Sequence, residues 1–369
     1  MYFTSPFYEA FLYLGNFLYY YCRLASLLSL RIPRLWVGPV YSKSPQHHVQ
    51  SYSEGGKWRD IDKYLDSLDD AYFAGLGSNS SARIVSWDLS SAISPFQYEG
   101  LVTKAPILRG EVKEEDIGQG KNYSGIFKLE SHFELPNGGE YIIKGTAFAV
   151  SKFYALTSAH LMWHRKLGPA KWAVLIPDKR QHRSAERVKN CVAVACHASP
   201  IKSLKGQEQY AKNDFCMVAL AEAFDPGVRI LQYHPEPSAF SDEEGLIIGF
   251  PKDMPEKNPG EHLILSTGLV SCTEENGVLS IEHRINTVEG NSGGPVIVGG
   301  KVVGIHSVFL EDQRRNAAAP VNRNGNNIEE FMGVLRYRRG QHSKLPKGVK
   351  ELGEATGVTH PGRVLSLLI

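Results

Sequence analysis

The stretch TVEGNSGGPVIVGGKVVGIHS, residues 287–307, places one serine among glycines and follows it with two apolar runs. Glycines on both sides of Ser292 allow the backbone to turn sharply without a side-chain clash. A Gly-Gly pair separates the two apolar runs, as is typical of a β-hairpin. The pattern predicts a serine presented on a tight loop, with His306 at the end of the second strand that follows it.

The same pattern of short β-strand-like runs extends over about residues 122–338. Short apolar runs such as SGIFKLESHFEL, EYIIKGTAFAVS and DFCMVAL alternate there with glycine, proline and asparagine. LPNGGE, residues 135–140, predicts a hairpin turn, because asparagine and glycine tolerate positive φ. Many short strands without long helices between them predict an all-β sandwich or barrel. About 215 residues of this kind predict one double-barrel domain, and NIEEFMGVL predicts a terminal helix, capped by Asn327, that closes the second barrel.

Amino-acid composition and net charge narrow the possible functions only slightly. The chain has 369 residues, 42% of them hydrophobic, and a formal net charge of +2. This balance gives no indication of nucleic-acid binding. The five cysteines lack metal-type spacing, so we expect buried free thiols, which favours a reducing compartment. Cys191 and Cys196 lie five positions apart in one apolar run and are expected on opposite faces of a strand.

The first 120 residues differ from the rest of the chain. AFLYLGNFLYYYC, residues 10–22, is apolar but shorter than the roughly 20 residues that span a bilayer. Three interpretations stay open for it: a helix packed on the body, a segment lying on a membrane surface, and an atypical signal or anchor. Residues 41–120 are polar and loop-rich, with an amphipathic helix candidate at residues 58–76.

Two other residues supply the partners that a reactive serine needs. A serine hydroxyl is a poor nucleophile at neutral pH unless a base removes its proton, and that base is oriented by a carboxylate. His160 ends the run FYALTSAH, and Asp214 directly precedes the apolar strand FCMVAL. Histidine, aspartate and serine therefore follow one another in that chain order, each next to a predicted strand.

TSAH, NDFCMVAL and GNSGGP resemble the three catalytic segments of the chymotrypsin-like serine protease superfamily, in its chain order. The resemblance covers roughly residues 122–338. It implies a double β-barrel with a C-terminal helix, and a serine endopeptidase that uses His160, Asp214 and Ser292. The backbone N–H groups of Gly290 and Ser292 would form the oxyanion hole. No metal or organic cofactor is implied, and the partner is a protein or peptide substrate.

The motif TVEGNSGGP together with GIHS is most similar to the glutamyl endopeptidases among the families of this superfamily. The similarity implies that Thr287, His306 and Ser307 bind the substrate, and that cleavage follows glutamate, with glutamine second. We expect Thr287 and His306 both to donate hydrogen bonds, and the preference to sharpen as pH falls towards the ordinary histidine pKa of about 6.5. The alternative for His306 is a core histidine satisfied by its neighbours. Phe309, at the rim, would narrow or cover the pocket.

The segment boundaries follow from these patterns. We expect an apolar segment at residues 1–40, a polar extension or linker at 41–120, the protease domain at 121–338 and a basic tail at 339–369. Residues 1–120 are expected to be dispensable for the chemistry, because Asn291 stands where digestive relatives carry the aspartate that pairs with a new N-terminus. The tail is either solvated or faces an acidic partner.

Two alternative functions remain at this point. One is a protease similar to the high-temperature-requirement family, although the roughly 30 residues after the barrels are too few for its peptide-binding module. The other is a protease-like module that binds peptides without cutting them. The compartment stays undetermined: the absence of the disulfides usual in secreted relatives favours an intracellular location, and secreted or membrane-associated locations stay open, the latter through contact of the N-terminal segment with a membrane surface.

Overall fold

The computed structural model describes residues 83–90, 109–117, 120–181, 188–202, 211–253, 260–310, 315–342 and 344–351. The first ten strands are β1 (Ile84–Asp88), β2 (Arg109–Glu111), β3 (Ile126–Glu134), β4 (Glu140–Ala149), β5 (Tyr154–Thr157), β6 (Trp163–His164), β7 (Gly168–Pro169), β8 (Trp172–Ile176), β9 (Lys189–His197) and β10 (Cys216–Leu220). The others are β11 (Phe240–Gly249), β12 (Ile264–Glu275), β13 (Val278–His283), β14 (Pro295–Val298), β15 (Lys301–Leu310), β16 (Arg315–Pro320) and β17 (Val349–Glu351). The helices are α1 (Glu114–Ile117), α2 (Ala198–Lys202) and α3 (Ile328–Arg338), with 3-10 turns at Ala159–Leu161 and Lys179–Gln181.

Six antiparallel strands close the first barrel. Their order is β10-β5-β4-β3-β8-β9, and pairing of β9 with β10 completes the ring. The predicted LPNGGE turn joins β3 to β4, where Glu134 pairs with Glu140 and Gly138 has φ 80°. Side chains such as Leu129, Leu175 and Val218 fill the interior.

The second barrel is built in the same way from later strands. Its order is β11-β14-β15-β16-β13-β12, and β11 pairs with β12 to close it. Alternation along β13 turns Leu279, Ile281 and His283 inwards and leaves the residues between them more exposed. The predicted all-β double barrel is confirmed.

Three strands from outside residues 121–338 extend these sheets. β1 pairs with β9, β17 pairs with β1, and β2 pairs with β12. Trp87 of β1 is fully buried, and its indole Nε1 donates to Ala170 O over 3.1 Å. Arg338 forms an ion pair with Asp88 over 2.8 Å. Segments of the expected extension and tail therefore pack against the barrels, while the domain boundaries themselves stay predictions.

The C-terminal helix begins where the sequence predicts. The side chain of Asn327 accepts a hydrogen bond from Glu330 N, which caps α3. The helix packs on β1, β9 and β10, with the rings of Phe215 and Phe331 4.8 Å apart, so it covers strands of the first sheet. The expectation that it closes the second barrel was wrong.

The cysteines differ from expectation in one respect. Cys191, Cys196, Cys216 and Cys272 are free and buried, as predicted. However, Cys191 and Cys196 face the same interior, because β9 carries an extra residue, Val192, opposite the Ala219/Leu220 step of β10. Such a bulge reverses the alternation of side chains beyond it. The prediction of opposite faces was therefore wrong.

Several predicted features lie outside the described residues. These are Cys22, the apolar segment at residues 10–22 and the helix candidate at residues 58–76. Within the part of the chain that the structure describes, no helix is both long enough and apolar enough to cross a membrane.

Candidate active site

Strand pairing in the first barrel brings His160 and Asp214 together. Thr157, the last residue of β5, pairs with Cys216, the first residue of β10. The 3-10 turn after β5 and the loop before β10 therefore leave the same edge of the sheet. Asp214 Oδ2 lies 2.6 Å from His160 Nδ1, and Asp214 Oδ1 accepts a hydrogen bond from His160 N over 2.9 Å.

Asp214 is a buried, ionised carboxylate. Its side chain has no exposed surface, and Ser307 Oγ donates to its Oδ2 over 2.5 Å. Burial alone would raise the pKa of Asp214, but the charge of His160, its two hydrogen bonds and the Ser307 hydroxyl outweigh that effect and lower the pKa below its ordinary value. Because Nδ1 faces the carboxylate, the imidazole carries a proton there and leaves Nε2 as its basic nitrogen.

The loop that carries Ser292 requires its glycines. Gly290 has φ 97°, and a Cβ placed on it would lie 2.2 Å from Phe250 O. Gly293 has φ 84°, and a Cβ there would lie 2.0 Å from Thr146 O. Any other residue would be strained at both positions and would collide with backbone. The glycines therefore allow the loop to pack closely on the strands that hold it.

The backbone N–H groups of Gly290 and Ser292 make no hydrogen bond to any residue that the structure describes. The hydroxyl of Ser292 donates to Ser307 O over 3.2 Å. Two unpaired donors beside a serine hydroxyl form a site suited to an oxyanion.

Thr146 of β4 connects the first barrel to this loop. Its N–H donates to Ser292 O and its hydroxyl donates to Gly290 O, both over 2.8 Å. The same hydroxyl accepts a hydrogen bond from Phe250 N over 3.1 Å. The loop is therefore held by strands of both barrels, which fixes the direction of its free N–H groups.

Thr287 lies at the start of the serine loop and contacts Asn316. Its hydroxyl donates to Asn316 Oδ1 over 2.9 Å, and Asn316 Nδ2 donates to Ile285 O over 2.8 Å. The second bond fixes the orientation of the amide, so the hydroxyl proton of Thr287 is already used. Thr287 thus presents lone pairs in this structure, and its donation to a substrate, which would require the hydroxyl to turn away from Asn316, stays a prediction.

His306 is buried and contacts a second histidine. Its side chain is 4% exposed, and its Nδ1 lies 3.1 Å from His283 Nε2. Burial disfavours a charge on His283, and a hydrogen bond with the backbone of Ile285 opposes this effect. One proton is shared between His283 Nε2 and His306 Nδ1. If His283 Nε2 carries it, neutral His306 has its own proton on Nε2.

Burial makes both imidazoles poor bases. It lowers the pKa of His283 to about 3 and, together with the positive charges of His283, His160 and Arg109, holds the pKa of His306 well below 6.5. The expectation that protonation of His306 sharpens selectivity near pH 6.5 was therefore wrong. In the free protein His306 is therefore not expected to gain a proton near pH 6.5.

Ser307, Phe309 and Glu289 lie near the serine loop in sequence and differ in their exposure and contacts. The hydroxyl of Ser307 is bound to Asp214, so its side chain supports the carboxylate. Phe309 pairs with Asn316 across β15 and β16, and its side chain is 52% exposed. Glu289 is 74% exposed and forms an ion pair with Lys252. Among the described residues, no group of three or more histidine, cysteine, aspartate or glutamate side chains is arranged to hold a metal.

Three residues of the site were not predicted from the sequence. These are His283, Asn316 and Arg109, which reach the site from strands far apart in the chain. Each is recognised only when strand register is known, because none belongs to a motif around His160, Asp214 or Ser292.

A family model described as the trypsin-like peptidase domain matches residues 145–305. This range contains all three of His160, Asp214 and Ser292. No curated protein sequence matches the chain.

The fold is similar to solved protease structures at low identity. A Glu endopeptidase in complex with MPD is 17% identical, with a TM-score of 0.48, over 63% of this chain and 97% of that chain. A protease of M. tuberculosis in its active form is 14% identical, with a TM-score of 0.39, over 65% of this chain and 94% of that chain. An inactive form of the same protein, with its serine replaced by alanine, is 15% identical with a TM-score of 0.37, over 56% and 87% of the two chains.

Proposed function

We propose that this chain, which belongs to the chymotrypsin-like serine protease superfamily, is a serine endopeptidase that cleaves through an acyl-enzyme, after glutamate or glutamine. A peptidase of this superfamily acts on protein or peptide substrates. The observation that carries the proposal is the contact of His160 Nδ1 with buried Asp214, 2.6 Å away. Ser307 connects this pair to the serine loop, because its hydroxyl donates to Asp214 and its carbonyl accepts from Ser292, next to two free N–H groups.

In the first half-reaction Ser292 attacks the carbonyl carbon of the peptide bond. Its hydroxyl proton turns from Ser307 O to Nε2 of His160 as the Oγ–C bond forms, and contacts of this kind tighten when substrate binds. Asp214 stabilises the resulting imidazolium without taking its proton. His160 then gives that proton to the leaving nitrogen, the C–N bond breaks, and the amine product departs.

In the second half-reaction water attacks the acyl-enzyme. His160 takes a proton from the water and returns it to Ser292 Oγ as the ester bond breaks, which releases the carboxylic acid product. In both halves the negative charge on the former carbonyl oxygen is stabilised by the N–H groups of Gly290 and Ser292. The loss of one such donor costs on the order of 3 kcal/mol in comparable sites.

The proposed preference for glutamate and glutamine is supported by the neutral donor His306 Nε2. With His283 donating to Nδ1, this N–H is the group that can meet a side-chain oxygen of the substrate. A pocket that hydrogen-bonds an oxygen acceptor strongly disfavours apolar side chains, because they leave its donor unpaired. Lysine and arginine are excluded, because residues 284–288 contain no carboxylate.

A digest of a proteome-derived peptide library tests activity and preference together. We expect new C-termini that end mainly in glutamate, fewer in glutamine, and none above background with the Ser292→Ala protein. Products ending mainly in lysine, arginine or large aromatic residues would refute the proposed preference for glutamate and glutamine, but the protein would still be a peptide hydrolase. Equal products from the parent and from Ser292→Ala would refute the proposed nucleophile.

A further inference from the structure

Arg109 is a buried arginine from β2 that contacts the chain segment leading to Thr287, a residue of the proposed specificity pocket. Its side chain is 3% exposed. Its Nε donates to Asn286 O over 3.2 Å, and its Nη1 lies 2.8 Å from Asp253 Oδ2. Asn286 directly precedes Thr287, so the guanidinium is attached to the backbone from which the pocket begins.

The donors of this guanidinium are only partly satisfied. Nη2 of Arg109 is buried and has no hydrogen-bond partner among the residues that the structure describes. Burial of a charged group is costly unless it is paired and its donors are used. Asp253 compensates the charge through Oδ2, while its Oδ1 is likewise buried without a partner among the described residues. The ion pair therefore uses one oxygen and one nitrogen and leaves Nη2 of Arg109 able to bind an acceptor that arrives with the substrate.

The positive charge of Arg109 reaches the proposed substrate-binding histidine. Burial is the main cause of the lowered pKa of His306, followed by the charges of His283 and His160; Asp214 opposes them, and the charge of Arg109 makes the smallest contribution, also downwards. The field that disfavours a proton on His306 favours an anion at the same place. The Thr287 hydroxyl donates its hydrogen bond to Asn316, so the charge of Arg109 supplies attraction that this hydroxyl does not supply.

We propose that Arg109 is a specificity-determining residue, whose buried positive charge makes the pocket prefer the glutamate carboxylate over the glutamine amide, and that Asp253 limits this preference. The proposal rests on the proposed function of the Ser292 site. It also assigns a role to β2, which lies in the segment expected to be an extension or linker.

The test compares kcat/KM for two peptides that differ only in glutamate or glutamine at the cleavage site, at pH 8. The two side chains have nearly the same shape, so the Glu:Gln ratio isolates the effect of charge. Arg109→Met should lower this ratio about tenfold or more, because truncating one partner leaves the Asp253 carboxylate buried and uncompensated. Arg109→Lys should keep most of the ratio, and Asp253→Asn should raise it.

Two further variants serve as controls, one for misfolding of Arg109→Met and one for the loss of an unrelated arginine. Arg109→Met combined with Asp253→Asn leaves neither charge buried alone, so it keeps the test valid if Arg109→Met fails to fold. Its Glu:Gln ratio should lie below that of the parent and above that of Arg109→Met. Arg323→Met removes an arginine that pairs with Glu274 elsewhere in the second barrel, and should leave the ratio unchanged.

The possible failures are distinguishable. If the parent cleaves neither peptide and Ser292 does not react with a fluorophosphonate, the proposed function is wrong. If the parent cleaves after glutamate but every Arg109 variant lowers glutamyl and glutaminyl cleavage by the same factor, Arg109 and Asp253 form a structural ion pair only, and this inference is overturned.

Discussion

His283 and His306 meet inside the second barrel, with 3.1 Å between His283 Nε2 and His306 Nδ1. The backbone of His306 also holds the serine loop, because Gly293 N donates to His306 O and His306 N donates to Gly294 O, each over 2.8 Å. One residue therefore connects the position of Ser292 to the proposed specificity donor. His283 fixes which nitrogen of His306 carries the proton.

Replacing His283 should weaken glutamyl cleavage without direct contact with the substrate. His283→Phe keeps an aromatic ring but removes the donor to His306 Nδ1, so the proton of His306 is no longer fixed on Nε2. We expect kcat/KM to fall about tenfold on glutamyl peptides, the effect of one lost hydrogen bond to a buried group, and less on alanyl peptides. His283→Gln, which retains an amide donor, should recover part of the loss. Equal losses on both peptides would show that His283 serves only stability.

Acid should destabilise the fold over a window set by the buried histidines. In the unfolded chain a histidine binds its proton below about pH 6.5, whereas folded His283 does so only near pH 3 and folded His306 also well below 6.5. The unfolded state thus binds more protons between these limits, so stability falls as pH drops through them. Asp214 adds a loss only below its ordinary value of 3.8.

The measurement is the thermal midpoint of the Ser292→Ala protein, which cannot digest itself under the proposed mechanism. Buried Lys128 and Glu130, each with a pKa of about 7, also change the midpoint with pH, so the comparison is with His283→Leu, which keeps both groups. Between pH 6.5 and 4.5 the midpoint of the Ser292→Ala protein should fall by several degrees, on the order of 5 °C, relative to that of the same protein with His283→Leu. A difference between the two proteins that does not change with pH would contradict the assignment of a strongly lowered pKa to His283.

Phe309 should leave the pocket open. Phe309 is 52% exposed, so about half of the residue faces solvent. We expect the parent to prefer glutamyl over alanyl peptides, and Phe309→Gly to change that ratio by less than about threefold, a small contact effect. Val278→Gly, at another exposed apolar position, is the matched control. A parent that prefers alanine, with glutamate cleavage restored by Phe309→Gly, would show that the phenyl ring blocks the pocket.

Removal of the residues before 118, which include β1, β2 and α1, should destabilise the barrels. A chain that begins at residue 118 lacks Trp87, whose buried indole fills part of the interior, and leaves Arg338 without Asp88. Loss of a buried tryptophan side chain costs about 3–5 kcal/mol in typical cores. Urea unfolding should therefore show a lower free energy of unfolding for this chain than for one that begins at residue 80. Equal stabilities would show that residues 80–117 are dispensable for the stability of the barrels.

The sequence was informative where function depends on short local motifs. The positions of His160, Asp214 and Ser292 followed from three segments next to strands, and strand pairing between Thr157 and Cys216 explains why the first two meet. The hairpin at residues 135–140 and the Asn327 cap were also predictable, because both rest on local backbone preferences.

Features that depend on register could not be predicted. The bulge at Val192, which turns Cys191 to the same side as Cys196, has no composition signal. His283 lies 23 positions from His306, and only the pairing of β13, β16 and β15 brings them together. The orientation of the Thr287 proton depends on Asn316, which lies in an unremarkable run of small residues.

Reaction of the purified protein with a fluorophosphonate probe tests the central claim most directly. The proposed site predicts a stoichiometric adduct on the peptide that contains Ser292, none with Ser292→Ala, and labelling slowed by several orders of magnitude with His160→Ala, because such residues act as a unit. Peptide hydrolysis should be lost in the same two variants while their thermal unfolding stays cooperative. Hydrolysis by the parent without an adduct on Ser292, or an adduct that forms equally fast in His160→Ala, would contradict the account.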